Sequence, residues 1–248
     1  MDAVMPGLAG ARQDTGKRRN GAAPDDTPYV VDLATTPIRE LNAELHEPTA
    51  RWYEVRNPRG AHAIAAGLRH PVEVRVAGHA GYYCAGMNAL ADVTIDGSAG
   101  VGVAENMMSG TVRVRGDASQ SAGATGHGGL LVIEGSASMR CGISMKGVDI
   151  VVGGDVGPMS AFMAQAGRLV VCGDAGDALG ESIYEARLYV RGAVGELGAD
   201  CVPKPMRDEH RAELAELLAA AGLPHRPEEF RRYGSARQLY HFAAHNSY

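Results

Sequence analysis

The sequence has few aromatic residues, few cysteines and no long apolar segment. Aromatic side chains make up 5% of the 248 residues, and the four cysteines include no Cys-x-x-Cys spacing, so a zinc or iron–sulfur site made by this chain alone is not expected. No apolar run approaches the roughly 18 residues of a membrane span. The net charge of −5, without a basic stripe, indicates no nucleic-acid surface. We expect a soluble chain with neither a membrane nor a nucleic-acid partner.

The first 28 residues show no hydrophobic periodicity. They are rich in Gly, Ala, Asp and Pro, and the basic cluster at Lys17, Arg18 and Arg19 lies far from any apolar segment of the kind found in secretory signals. We therefore expect a disordered N-terminal tail over residues 1–28 and a cytoplasmic protein.

What the chain does have is a glycine every 19 residues, each closing a short run of β-type residues. The residues two and four positions before each glycine are β-branched or Leu, which is the alternation of a half-buried strand. A fixed period near 20 residues is typical of a solenoid, since one repeat cannot bury its apolar face alone. The repeat glycines are Gly78, Gly97, Gly116, Gly135, Gly154, Gly173 and Gly192.

Small residues recur after each repeat glycine. Two positions later stands Ala or Val, and seven positions later stands Ala or Gly, as at Ala80 and Ala85 in the first repeat and Val194 and Ala199 in the last. We interpret the glycines as sharp bends and the small residues as the lining of a narrow interior. The sequence predicts an all-β parallel β-helix of about seven 19-residue coils, roughly 34 Å long at the usual strand spacing.

The repeat divides the chain into four segments. Residues 1–28 form the tail, residues 29–71 an N-terminal cap, residues 72–200 the β-helix and residues 201–248 a C-terminal helix with an aromatic tail. In the N-terminal cap we predict short helices near Ile38–Leu45 and near His62–Leu68. Caps are expected at both ends because an open terminal coil exposes strand edges and apolar interior.

The C-terminal segment carries a clear helix pattern. Leu214, Leu217, Leu218 and Ala221 share one helical face, and Gly222 follows as a stop signal. A second short helix is predicted from Pro227, ending by Gly234. The last sixteen residues contain the aromatic residues of a tail that we expect to dock on a surface, namely Tyr233, Tyr240, Phe242 and Tyr248.

The outward positions of the middle strands are apolar. Val132, Val151 and Val170 stand between the inward-facing aliphatic residues of three consecutive repeats. An apolar outer stripe of this kind indicates a covered face. The cover is either the chain's own C-terminal segment or another subunit.

Several residues that suggest chemistry have a structural interpretation. Cys84 and Cys141 share a register three coils apart, about 14 Å by the strand spacing, which is too far for a disulfide. We expect Cys84, Cys141, Cys172 and Cys201 to be structural or surface thiols. His127 stands among Gly126, Gly128 and Gly129, where each coil needs a bend, so we favour a bend over a phosphate-binding or catalytic loop.

Two further groups invite a functional hypothesis. Asp117, Asp155 and Asp174 each follow a repeat glycine and could form a calcium-binding column, but Ser136 interrupts it, so we favour solvated turn residues. A second group could form a contact surface on the far side of neighbouring coils: Asn106, Met107, Met108, Arg140 and Met145. Neither group has the spacing of a known catalytic constellation.

The coils of residues 72–200 resemble the GXGXG domain that ends the large subunit of bacterial and plant-type glutamate synthase. Three segments at the ends resemble a free-standing version of that domain, the small subunit of N-methylglutamate synthase and its relatives. They run from Asp32 to Asn42, from Asn57 to His62 and from Tyr233 to Phe242. The resemblance covers about residues 30–248, and the ends are more specific than the coils.

The resemblance implies a right-handed β-helix without a catalytic, cofactor-binding or metal-binding residue of its own. The implied partners are a class II amidotransferase-like subunit and an FMN-binding glutamate-synthase-like subunit. FMN and an iron–sulfur cluster are expected on the latter, and no cofactor on this chain. The implied complex makes N-methylglutamate and ammonia from glutamate and methylamine, and the β-helix holds its subunits in register.

Two alternatives use a similar architecture. The first is the β-helical subunit of formylmethanofuran dehydrogenase or of a formyltransferase/hydrolase complex in one-carbon metabolism, from which the end segments distinguish this chain. The second is an acyl- or sugar-nucleotide-modifying enzyme on a left-handed β-helix, whose coils consist of hexapeptide repeats. A period of 19 residues is not a multiple of six and argues against it.

Overall fold

Each glycine-anchored repeat contributes one short strand to a single long sheet. The computed structural model describes residues 27–237. Within them, the strands lie in the order β1-β2-β3-β4-β5-β6-β7-β8-β9-β11-β10. Their bounds are β1 Tyr29–Asp32, β2 Trp52–Arg56, β3 Glu73–Val76, β4 Asp92–Ile95, β5 Thr111–Val114, β6 Leu130–Ile133, β7 Lys146–Val152, β8 Ala166–Val171, β9 Arg187–Val190, β10 Cys201–Lys204 and β11 Arg231–Ser235. The helices are α1 Ile38–His46 and α2 Asp208–Ala221, and a 3-10 turn spans Pro227–Glu229.

The parallel strands stack in the register that the sequence period predicts. From β3 to β9 the paired residues are 19 positions apart, as in Val74 with Val93 and Val93 with Val112. The one shift among these strands is at the start of β7, where Lys146 pairs with Ala166, 20 positions later. A second column of parallel bridges starts at Ala80 and Ala99 and runs to Val194, two residues past each repeat glycine. The inward aliphatic residues of all these strands are buried. The predicted parallel β-helix is therefore confirmed.

Part of each coil alternates left-handed residues with residues of negative φ. In six coils the residues five, seven and nine positions past the repeat glycine have φ between 53° and 70°. Their N–H groups donate to neighbouring coils, for example from Tyr83 to Val101 and from Ala85 to Ile64. We call this segment the left-handed arc: Tyr83, Ala85, Met87, Gly102, Ala104, Asn106, Ser121, Gly123, Thr125, Arg140, Gly142, Ser144, Met159, Ala161, Met163, Ala178, Gly180 and Ser182.

The small residues seven positions past the glycine belong to this arc, with one exception. A Cβ on Gly123 would lie 2.6 Å from Ile150 Cδ1, so the narrow interior and the left-handed backbone both favour small residues there. Ala199 was expected in the same column and is instead exposed. The last coil is one residue shorter, since Leu179 pairs with Leu197, and Gly198 takes the place predicted for Ala199.

The solenoid begins one turn before the first repeat glycine. Strand β2 pairs in parallel with β3, and the N–H groups of Gly60 and Ala63 donate to His79 and Tyr82 in the next coil. The helix predicted near His62–Leu68 is wrong. Ala63 and Ala65 adopt left-handed φ angles there, as in the later arcs, although Ile64 and Leu68 are buried at a helix-like spacing.

The two ends of the rod are closed differently. The predicted N-terminal helix is confirmed as α1, whose Leu41 and Leu45 are fully buried in the core of the rod. At the other end β11 pairs antiparallel with both β9 and β10. The helix predicted from Pro227 to Gly234 is therefore only the 3-10 turn, because Arg231–Ser235 belongs to β11.

The long C-terminal helix is confirmed, and it covers the side of the rod rather than its end. Helix α2 stops at Gly222, whose left-handed φ of 73° suits glycine. Its buried residues pack with Val132, Val151 and Val170 on the outer face of the sheet. The chain's own C-terminal segment is thus a cover of the predicted apolar stripe.

Some predictions fall outside the described residues. Apart from Thr27 and Pro28, the N-terminal tail of residues 1–28 is not described, and neither are Tyr240, Phe242 and Tyr248 of the aromatic tail. Neither of the two described helices combines the length and the apolar character that a membrane crossing requires.

Candidate functional site

The repeat glycines mark the corner that follows each strand. Among the seven, only Gly78 has a positive φ, at 143°. The others are held by close contact with the preceding coil: a Cβ on Gly97 would lie 2.7 Å from His79 Nδ1, and one on Gly116 would lie 2.6 Å from Ser98 Oγ. The corner therefore requires glycine because a side chain and the backbone of the preceding coil lie against it.

These contacting side chains form a polar column along the rod. The side chains after the first six repeat glycines each accept a hydrogen bond from the backbone N–H at the same position one coil later. The donor–acceptor distances are 2.9 Å from Ser98 to His79, 3.2 Å from Asp117 to Ser98, 2.8 Å from Ser136 to Asp117, 3.1 Å from Asp155 to Ser136, 2.7 Å from Asp174 to Asp155 and 2.7 Å from Ala193 to Asp174. The aspartates predicted as solvated turn residues thus have a structural partner as well.

The described residues offer no arrangement for a metal ion. They contain no group of three or more His, Cys, Asp or Glu side chains placed to hold one. In the aspartate column one carboxylate oxygen of Asp117, Asp155 and Asp174 is already bonded to a backbone N–H. What this column can do chemically is hold successive corners in register.

All four cysteines are free and buried. Burial raises the pKa of the Cys84 and Cys141 thiols to about 12 and those of Cys172 and Cys201 to about 11. Because the thiolate is the reactive form, none is suited to nucleophilic catalysis near neutral pH. Of the two predicted roles, structural and surface thiols, the structural one is confirmed.

The glycines around His127 are confirmed as a bend. A Cβ on Gly128 would lie 2.7 Å from the carbonyl oxygen of Met108, and Gly129 has a φ of 85°. The ring of His127 is exposed, and its backbone N–H donates to the Met107 carbonyl. The loop therefore makes a close crossing between coils.

The predicted methionine contact surface is divided by the fold. Met107 and Met145 are fully buried in the interior, whereas Met108 and Arg140 are exposed. Asn106 is half-buried, and its Oδ1 accepts a hydrogen bond from Thr125 at 2.6 Å. These five residues do not form one surface.

Two shallow depressions lie on the described surface. One, of about 240 Å³, lies on the outer face of the sheet and includes Trp52, Arg75 and Arg115. Both arginines are paired with an acidic residue, since Arg75 and Arg115 contact the carboxylate of Asp96 at 2.7 and 3.4 Å. The other, of about 380 Å³, is lined by His46, Gly67, Arg69, His70 and Met87. Neither lining includes a Ser, Cys or Lys nucleophile.

A partly buried polar network anchors α2, and no sequence pattern predicted it. The Glu213 carboxylate accepts hydrogen bonds from Arg187 and the Tyr189 hydroxyl and lies 3.7 Å from Arg168. Burial, and then the hydrogen bond to Glu213, raise the pKa of Tyr189. Arg168 also binds Asp149 through two hydrogen bonds of 2.7 and 2.5 Å. Glu213 is one of several acidic residues on the polar side of α2, and only the fold identifies its partners.

The segments at the N-terminal end lie side by side. Asn57 Nδ2 donates to Asp32 Oδ1 at 2.8 Å, and the Leu33 N–H donates to the Arg56 carbonyl. The hydrogen bond from Asn57, followed by that from the Ala34 N–H, lowers the pKa of Asp32. The fold thus joins the two stretches, Asp32–Asn42 and Asn57–His62, that carry the more specific part of the resemblance.

Comparison with known proteins gives one strong relationship. No model of a protein family matches the chain. The chain is 64% identical to Protein GlxC of Rhizobium meliloti (strain 1021) over 223 residues, which is 88% of this chain and 98% of that protein. At this identity and coverage the chain belongs to the GlxC protein family.

Proposed function

We propose that this chain is a non-catalytic structural subunit of a glutamate-synthase-type complex. The observation that carries the proposal is the stack of 19-residue coils with a glycine at every corner. This stack resembles the GXGXG domain of glutamate synthase. The adjacent end segments Asp32–Asn42 and Asn57–His62 support the free-standing version of that domain. Membership of the GlxC family is consistent with this assignment.

The described surface supports a scaffold role. Successive corners are fixed by main-chain hydrogen bonds and by the polar column, so partners bound at different coils are held at fixed separations. Most parts of the rod contact only their neighbours, which makes its length a direct consequence of the coil number. The apolar stripe of Val132, Val151 and Val170 is not an argument for partners, because α2 covers it.

Within this class we propose N-methylglutamate synthase as the complex. The partners would be a class II amidotransferase-like subunit and a subunit that binds FMN and an iron–sulfur cluster. The reaction would join methylamine to glutamate and release ammonia. This chain would supply no reacting group and would position the two partner subunits in the cytoplasm.

Purification of the tagged chain from its native host tests the proposal. We expect two larger subunits to co-purify, with flavin absorbance and an iron–sulfur shoulder, and the complex to form N-methylglutamate from glutamate and methylamine. A complex that uses only glutamine and 2-oxoglutarate would contradict the choice of amine and leave the subunit class intact. A chain that purifies alone with turnover of its own, or with a molybdenum or tungsten protein, would contradict the class.

A further inference from the structure

A second apolar surface lies on the left-handed arc, away from α2. It is formed by the coils that follow Gly135 and Gly154, and its side chains are half-buried or exposed. The most exposed is Met163, at 41% of its full area. We call this surface the methionine face: Met139, Ile143, Met159, Phe162 and Met163.

The methionine face contrasts with the stripe under α2. Val132, Val151 and Val170 are fully buried by the described chain, whereas the described chain leaves Met163 41% exposed. Contiguous exposed apolar patches usually mark a contact site. Methionine side chains adapt to an aromatic partner through favourable sulfur contacts.

The described chain ends two coils from Met163, in the same column of residues. Because the last coil is one residue short, Asp200 stands in the same column as Ser182 and Met163. The Ala236 N–H donates to the Asp200 carbonyl at 2.7 Å, and the Arg237 guanidinium binds the Asp200 carboxylate at 3.1 and 2.6 Å. Arg237 therefore lies about two coils, or roughly 10 Å, from Met163 along the rod.

The remaining residues have the length and composition to cover the face. Eleven residues follow Arg237, and they include no Lys, Arg, Asp or Glu. Fully extended, they could reach roughly 36 Å, which exceeds the distance to both coils of the face. Their large apolar residues are Leu239, Tyr240, Phe242 and Tyr248.

We propose that residues 238–248 fold back along the rod and bind the methionine face of the same chain. The Asp200–Arg237 ion pair holds Arg237, the residue before this segment, at the column that also contains Met163. The aromatic side chains would then lie against Met159, Phe162 and Met163. Helix α2 and this segment would cover two different apolar faces of one rod.

Chemical cross-linking of the full-length chain tests this placement. The native thiols are buried with raised pKa values, so introduced surface cysteines react selectively. We expect a short bismaleimide to link Met163→Cys with Phe242→Cys within one chain. Glu216→Cys, exposed on α2, is the matched control with Phe242→Cys and should form no link.

The products distinguish the occupants of the face. An intrachain link in the Met163 pair only would support the proposal. No link, equal yields in the two pairs, or a cross-linked dimer from the Met163 pair would overturn it, and the dimer would assign the face to a second copy.

Methionine oxidation gives a second test without new cysteines. We expect peroxide to oxidise Met163 several-fold faster in a chain ending at Arg237 than in the full-length chain. Met108 is 51% exposed and lies outside the face, so its oxidation rate serves as the control. A Met163 rate that changes no more than the Met108 rate would overturn the proposal.

Discussion

At the scale of single residues, the corner glycines owe their identity to contact rather than to backbone conformation. The 19-residue period located all seven of them, and the sharp bend at each is present. The sequence could not show that the preceding coil places Asp117 against Gly135 and Asp155 against Gly173. That information lies in the stacking distance between coils, which brings residues 18 positions apart into contact.

Gly135→Val should destabilise the whole subunit. A Cβ at this position would collide with Asp117 Oδ1 and lie 2.9 Å from the Gly116 carbonyl oxygen, which belongs to the backbone and cannot rotate away. Overpacking of this kind costs about 1–3 kcal/mol, and more where the backbone is the obstacle. Thermal unfolding followed by circular dichroism would measure the change.

A matched pair of alanine variants separates this effect from a general cost of adding a side chain. Gly135→Ala should lower the melting temperature clearly. Gly234→Ala should change it little, since the nearest atom to a Cβ there is Lys204 Cγ at 3.6 Å. Equal melting temperatures for the two variants would contradict the contact explanation.

His210 makes the attachment of α2 sensitive to acid. Its ring is buried at the first turn of α2, and Nδ1 accepts the Arg207 N–H at 3.1 Å. Burial, and then Arg232, lower the pKa of His210 below 6.5, with Arg187 acting in the same direction and Glu209 and Glu213 opposing it. The unfolded chain therefore binds the proton more readily than the folded one. The stability from neutral His210 is present above about pH 6.5 and is lost as the pH falls.

His210→Asn tests this dependence, because an amide oxygen can still accept the Arg207 N–H. The native protein should lose more unfolding free energy than the variant between about pH 7 and pH 5. Denaturant titrations at several pH values would show the difference. Parallel pH profiles for the two proteins would assign the acid sensitivity to other groups.

At the scale of elements, α2 shows why an apolar outer stripe needs a cover. From the sequence, the cover of the stripe was either the chain's own C-terminal segment or another subunit. The structure shows α2 packed on the stripe. Its position is fixed by apolar packing and by polar contacts at its middle and at its C-terminal end. Glu213 binds Arg187 and Tyr189, and the Ala221 carbonyl accepts from Arg113 at 3.0 Å.

Leu214→Ala should loosen α2 from the sheet. Leu214 is fully buried among residues of the helix and the stripe, and removing such a side chain costs about 2–5 kcal/mol. Glu216→Ala, on the exposed side of the same helix, should change stability by less than about 0.5 kcal/mol. Hydrogen exchange of the α2 amides would locate the effect. A loss of protection spread evenly over the rod would contradict an independent role for this helix.

The two elements that sequence analysis misassigned have different causes. Ile64 and Leu68 are four residues apart and buried, as in a helix, but alternating left-handed residues produce the same spacing in the arc. Arg231–Ser235 is short and charged, and it becomes a strand because β9 and β10 offer open edges on both sides. Such pairing depends on distant segments, so local patterns do not reveal it.

At the scale of the whole molecule, the sequence predicted the architecture better than its surfaces. The coil period, the sheet register and the long helix follow from repeated local patterns. The polar column, the methionine face and the depressions depend on which coils lie side by side and on one missing residue near Leu197. These features follow only from the stacked coils.

The four buried cysteines allow the stability of the rod to be followed coil by coil. In a solenoid each repeat contacts mainly its neighbours, so opening can start at one end. Cys201 lies in β10 at the edge of the sheet, Cys172 follows β8, and Cys141 lies mid-rod. In rising urea, pulse alkylation with mass spectrometry should label Cys201 first, then Cys172, and Cys141 last. Simultaneous labelling of Cys201 and Cys141 at every urea concentration would instead show that the rod, with α2 and β11 attached, unfolds as one cooperative unit.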